Sequence, residues 1–117
     1  QSLATLIFDG VLDRFPNLRI GVIEQGCSWV PSWMKQMESA MDAFGRHEER
    51  LQKLSLRPSE YVERQVRVTP YPTEDIGWVT DQVGPDVLLF NTDYPHVQRF
   101  YSDNFVDLMG SAVAALV

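Results

Sequence analysis

Residues 86–96 read Asp86-Val87-Leu88-Leu89-Phe90-Asn91-Thr92-Asp93-Tyr94-Pro95-His96. The apolar run from Val87 to Phe90 predicts a short buried strand that ends in a polar cluster. In barrels and open sheets of parallel strands, ligands collect at the carboxyl ends of the strands. Asp93 therefore stands where a ligand or a metal ion is held. His96, three residues on, adds a second common metal-ligand type. A capped turn accounts for the same residues, with Asp93 holding the loop backbone and Pro95 stiffening it.

The chain before this stretch repeats the pattern. Residues 65–69 alternate apolar and polar side chains and predict a strand. Between the two strands, Thr73 is placed to cap a helix, with Glu74 and Asp75 in its first turn, where the helix dipole favours acids. Ile76, Val79 and Val83 line the inner face of that helix, and Gly84-Pro85 stops it. Pro58 opens a shorter helix over residues 58–64. Arg64 and Arg67 either meet an acidic substrate or pair with acidic surface groups.

Residues 18–24, Leu-Arg-Ile-Gly-Val-Ile-Glu, predict a further buried strand ending at Glu24. Glu24 thus takes the same place on its strand as Asp93 on its own. Two acids so placed point to a shared site, while Glu24 paired with an arginine or capping a helix is the structural alternative. Ser28 is positioned to cap a long helical pattern over 29–54, with Gly45 as a break or kink. Trp29, Trp33, Met34 and Met37 either line a pocket or belong to the core. The charged run 46–50 reads as a solvated face with His47 in solvent. Residues 3–15 carry apolar side chains at helical spacing, ended by Pro16. Gly10 within that pattern costs a helix up to ~1 kcal/mol relative to Ala. A last helix is expected over 102–110.

The 117 residues suffice for one ordinary domain. The net charge of -6 and the lack of a Lys/Arg cluster argue against a nucleic-acid surface. The single cysteine, Cys27, excludes an internal disulfide. No apolar run is long enough to span a bilayer, so no membrane role and a cytoplasmic location are expected. The chain opens at Gln1 within an amphipathic pattern, which suggests an excerpt or a processed product.

Strands alternating with helices imply an α/β fold whose strands run parallel through right-handed crossovers. Three strands, starting about 45 and about 20 residues apart, make a narrow sheet with two unpaired edges. The segment therefore reads as part of a larger α/β barrel, or as a chain that associates to complete itself. A homo-oligomer, at least a dimer, or the remainder of the barrel is the expected partner.

Five blocks resemble one family in combination. They are Gly10-Val11-Leu12-Asp13-Arg14-Phe15-Pro16-Asn17-Leu18-Arg19-Ile20, Val22-Ile23-Glu24-Gln25-Gly26, Trp29-Val30-Pro31, Pro58-Ser59-Glu60-Tyr61 and Thr92-Asp93-Tyr94-Pro95-His96. Together they resemble the C-terminal part of the amidohydrolase-related metal-dependent hydrolases and decarboxylases, which include aminocarboxymuconate semialdehyde decarboxylase. The resemblance implies a (β/α)8 TIM barrel of which this chain, a single segment over residues 1–117, holds about the last three β/α units. It implies a divalent metal, zinc or else manganese, present only where the site is complete. Asp93 matches the family's last-strand aspartate, a metal ligand and general base. Glu24 falls where many members carry a metal-binding or catalytic histidine, so it is a candidate ligand, acid or base. His96 is expected to shape the pocket or orient substrate, with Trp29 and Arg67 as further substrate-binding candidates. The implied activity is hydrolysis or non-oxidative decarboxylation of a small carboxylate or carbonyl substrate, absent from the chain alone. The alternative is a shortened relative that self-associates, or binds a small molecule, without catalysis.

Overall fold

The computed structural model describes residues 2–90. They form helices α1 (Ser2–Phe8) and α2 (Val11–Arg14), strand β1 (Ile20–Val22), helices α3 (Val30–Phe44), α4 (Glu49–Gln52) and α5 (Pro58–Gln65), strand β2 (Val66–Val68) and helix α6 (Ile76–Val83). A 3-10 turn, Pro85–Val87, follows. The described residues divide into two compact units, 2–20 with 32–66 and 21–31 with 67–90.

In the first unit the helix expected over 3–15 is two helices. Gly10 takes φ 74, in the left-handed region, and the chain breaks there instead of carrying Gly10 within one helix. Glycine enters that region at no steric cost, so the break is cheaper here than a straight helix. The break lets both Ile7 and Leu12 become fully buried. Helix α5 packs on α1 and α2, and its Tyr61, Val62 and Gln65 are buried. The alternation over residues 65–69 predicts a strand that begins at Gln65. Instead Gln65 ends the helix and donates from Nε2 to the carbonyls of Phe15 and Leu18, 2.9 and 3.1 Å away. These bonds satisfy a buried amide and fix the run into β1. Arg64 donates to the Leu12 carbonyl and to Gln65, so it holds the scaffold.

The long pattern over 29–54 resolves into α3 and α4, parted at Gly45. Met34 and Met37 are buried core residues, and His47 is exposed, as expected. Glu38 and Asp42, one turn apart on α3, both bind the Arg57 guanidinium at 2.8 Å. Glu38 also accepts the Ser59 backbone N–H, and Glu60 accepts that of Arg57. The start of α5, opened by Pro58, is thereby satisfied.

The Tyr61 hydroxyl donates to Asp13 at 2.6 Å and accepts the Leu56 N–H at 3.2 Å. Ser55 also donates to Asp13. Hydrogen bonds from Ser55 and Tyr61 hold the Asp13 carboxyl below its ordinary value. Tyr61→Phe keeps the buried ring but removes both bonds of the hydroxyl. It is expected to cost about 1–2 kcal/mol in urea unfolding; an unchanged midpoint would show that water replaces the hydroxyl at no cost.

In the second unit β1 and β2 pair as short parallel strands. The Thr69 N–H donates to the Val22 carbonyl at 3.0 Å. The expected strand over 87–90 is reduced, among the described residues, to one parallel bridge between Val68 and Leu88. Val87 is taken into the 3-10 turn that Pro85 opens, and Leu89 and Phe90 are 39% and 52% exposed. Helix α6 buries Ile76, Val79 and Val83 as its spacing predicts. Gly84, at φ 82, ends it. Its cap is Asp75, whose side chain accepts the Trp78 N–H at 2.9 Å, and not Thr73. The expected helix over 102–110 lies outside the described residues. No helix among the described residues is long and apolar enough to cross a membrane.

Candidate functional site

The chain leaves β1 at Val22 and turns sharply. Glu24 has φ 60, and it is the one non-glycine residue in the left-handed region among those described. An L side chain there costs about 1–2 kcal/mol. Its backbone is gripped from both sides by residues that follow β2. The Glu24 N–H donates to Thr69 Oγ1 at 3.1 Å, and its carbonyl accepts the Tyr71 hydroxyl. Thr69 is buried. The Glu24 side chain is exposed and makes no hydrogen bond or ion pair among the described residues. A carboxylate thus stands two residues beyond the end of a parallel strand, but that strand is only Ile20–Val22 and is partly exposed, where a buried strand over 18–24 ending at Glu24 is expected from the sequence.

A second acid builds the loop. The Glu74 carboxylate accepts backbone N–H groups from Cys27 at 2.9 Å, Ser28 at 2.8 Å and Tyr71 at 2.7 Å. Burial pushes its pKa up, but the N–H donors of Ser28, Tyr71 and Cys27 outweigh it and the net shift is down. Gly26, at φ 69, lets this carboxylate in: a Cβ there would lie 2.7 Å from Glu74 Oε1. Ser28 therefore serves Glu74 and does not begin α3, which starts at Val30. Burial, then the adjacent Glu74, raise the Cys27 thiol to about 12, so it stays protonated and is no nucleophile.

The other sequence candidates divide. The Trp29 indole donates to the carbonyls of Gln25 and Gly26, at 3.1 and 2.9 Å, and so braces the Glu24 turn. Arg67 lies in the middle of β2, on the face opposite Val66 and Val68. Asp93 and His96 lie outside the described residues. No group of three or more His, Cys, Asp or Glu side chains suited to a metal ion occurs among the described residues. A catalytic zinc takes three protein ligands, so residues 2–90 alone do not make a metal site. Thr69, Tyr71 and Glu74 carry the geometry yet had no functional signal in the sequence. Their bonds to the 24–28 loop span 45 to 47 residues, beyond any local spacing rule.

Short parallel strands joined through helices, with an acid just beyond the carboxyl end of β1, define a piece of an α/β fold. The chain matches the amidohydrolase family over residues 2–115. It belongs to that family. Among solved structures it is similar to an amidohydrolase from Mycobacterium avium subsp. paratuberculosis K-10, at 27% identity and TM-score 0.74, over 94% of this chain and 28% of that one. It is also similar to 5-carboxyvanillate decarboxylase from Novosphingobium aromaticivorans, a structure with bound manganese, at 27% identity and TM-score 0.65 over 92% of this chain and 31% of that one. The same enzyme from Sphingomonas paucimobilis matches at 26% identity and TM-score 0.65, over 90% and 32%. The chain thus spans less than a third of these relatives. No curated protein matches it.

Proposed function

We propose that this chain is the C-terminal portion of a metal-dependent enzyme that decarboxylates a small aromatic carboxylate without oxidation. The observation that carries the reading is Glu24, an exposed carboxylate held in a strained conformation beyond β1, in a chain of the amidohydrolase family. Two of the similar structures are decarboxylases of such a substrate, which favours decarboxylation over hydrolysis. Asp93 and Glu24 would each offer an oxygen to a divalent ion, with further ligands from outside residues 2–90. Manganese, as bound in the Novosphingobium relative, or zinc suits such oxygen donors. When bound, the ion would polarise the substrate and lower the pKa of a coordinated water.

Decarboxylation breaks the bond between the ring carbon and the carboxylate, and the electron pair stays on the ring carbon, which then takes a proton. An acid within reach of that carbon must supply the proton. Glu24 and Asp93 are the residues for that task, the other acting as ligand or base. His96, Trp29 and Arg67 remain candidates for holding the substrate.

The test is turnover by the full product of the gene encoding this segment, with manganese or zinc, on hydroxylated benzoates that include 5-carboxyvanillate. Carbon dioxide release is expected, lost in Asp93→Asn and lowered about 100-fold or more in Glu24→Gln. The 117-residue chain alone is expected to show none. Hydrolysis of amides or lactones without carbon dioxide release would replace decarboxylase by hydrolase. Turnover of neither class would overturn the enzyme reading.

A further inference from the structure

We propose that Thr69 and Tyr71 are positioning residues for Glu24, and that their joint grip on its backbone aims the carboxylate into the site. This rests on the role proposed for Glu24. A turn after β1 needs no such arrangement: glycine enters the left-handed region freely, as Gly26 does two residues later at φ 69. Glutamate enters it only when the surroundings over-determine the conformation. Here they do. Thr69 Oγ1 accepts the N–H of Glu24, and the Tyr71 hydroxyl donates to its carbonyl. The two grips therefore hold both peptide groups of one residue, from the segment that leaves the neighbouring strand.

Each grip is itself supported. Thr69 is buried, its N–H bonds to Val22, and its hydroxyl lies 3.4 Å from the same carbonyl. Tyr71 is tied through its own N–H to Glu74, the acid that binds Cys27 and Ser28. Nothing else among the described residues restrains the Glu24 carboxylate itself. The backbone sets the direction in which the side chain leaves the turn, and Thr69 and Tyr71 hold that backbone at Glu24 itself, with Trp29 bracing the two carbonyls that follow. Strain held by a dedicated pair of side chains, at a residue whose own side chain is exposed, is the pattern of a preorganised group.

The experiment uses five variants of the full gene product: Thr69→Val, Thr69→Ser, Tyr71→Phe, the double variant Thr69→Val with Tyr71→Phe, and Glu24→Gln. Crystal structures are expected to keep Glu24 left-handed in wild type and Thr69→Ser. In Thr69→Val combined with Tyr71→Phe, Glu24 is expected to fall back to an extended conformation. For turnover, Thr69→Val and Tyr71→Phe are each expected to lower kcat about 10- to 100-fold with KM within about twofold, while Thr69→Ser retains the wild-type rate. Tyr71 is 45% exposed, so Tyr71→Phe keeps the test valid if Thr69→Val fails to fold. A left-handed Glu24 in the double variant, or wild-type kcat in Tyr71→Phe, overturns the positioning role. A wild-type rate in Glu24→Gln removes the role of Glu24 itself, and the positioning role with it. Loss in Glu24→Gln with no effect of the other variants removes the positioning role alone.

Discussion

Replacing Glu74 by Ala is expected to destabilise the protein by about 2–4 kcal/mol, with a lower urea midpoint at neutral pH. The Glu74 carboxylate satisfies three backbone N–H groups, those of Cys27, Ser28 and Tyr71. Cys27 is fully buried, so its N–H has no ready access to water and bears most of the cost. Ser28 and Tyr71 are exposed, and water takes over part of their loss. The pH dependence has a definite sign. The Glu74 carboxyl lies below its ordinary value of 4.5 in the folded protein, because N–H donors stabilise the charged form. Its contribution is therefore complete above pH 4.5 and is lost as the pH falls through the folded-state pKa. The stability gap between wild type and Glu74→Gln should then be widest at neutral pH and narrow in acid. A gap independent of pH would show that the charge of Glu74 does not stabilise the loop.

Gly26→Ala is expected to cost about as much, roughly 2–4 kcal/mol, from two sources. Alanine at φ 69 loses about 1 kcal/mol through the left-handed backbone alone. The added Cβ would also lie 2.7 Å from Glu74 Oε1 and 2.9 Å from Tyr71 Cδ2. Real Cβ atoms do not approach so closely, so the carboxylate must leave the Cys27 and Ser28 N–H groups. The two substitutions should then be strongly non-additive. In a Glu74→Ala background the backbone part, about 1 kcal/mol, and the close approach to Tyr71 Cδ2 remain, while the displacement of the carboxylate is gone. Full additivity in a double-mutant cycle would sever the link between Gly26 and the Glu74 carboxylate.

These two residues also mark where the sequence stops being readable. The alternation of strands and helices, the buried face Ile76, Val79 and Val83, the stop at Gly84-Pro85 and the acid beyond β1 all follow from local periodicity and turn chemistry. Such signals act over a few residues and survive folding. Around residues 73–75 they fail, because Thr73, Glu74 and Asp75 are all acceptable at a helix start. The choice is made elsewhere: three N–H groups, two of them 46 and 47 residues away, claim Glu74, and Asp75 is left to cap α6. Gly10 differs for a related reason. Its helix penalty is visible in the sequence, but burial of Ile7 and Leu12 around a break is not. Trp29 was legible as an aromatic of the site region, but not as a brace for the Glu24 turn.

Cys27 has a practical consequence. It is the sole cysteine of the chain, it is fully buried, and its thiol is raised to about 12. A thiol that stays protonated and out of solvent is silent toward maleimides and iodoacetamide in the folded state. Reporter cysteines placed at exposed positions such as Gln25 or Trp78 can therefore carry a fluorophore or spin label without first removing the native one. Reaction of Cys27 itself then becomes a clock for opening of the loop beyond β1.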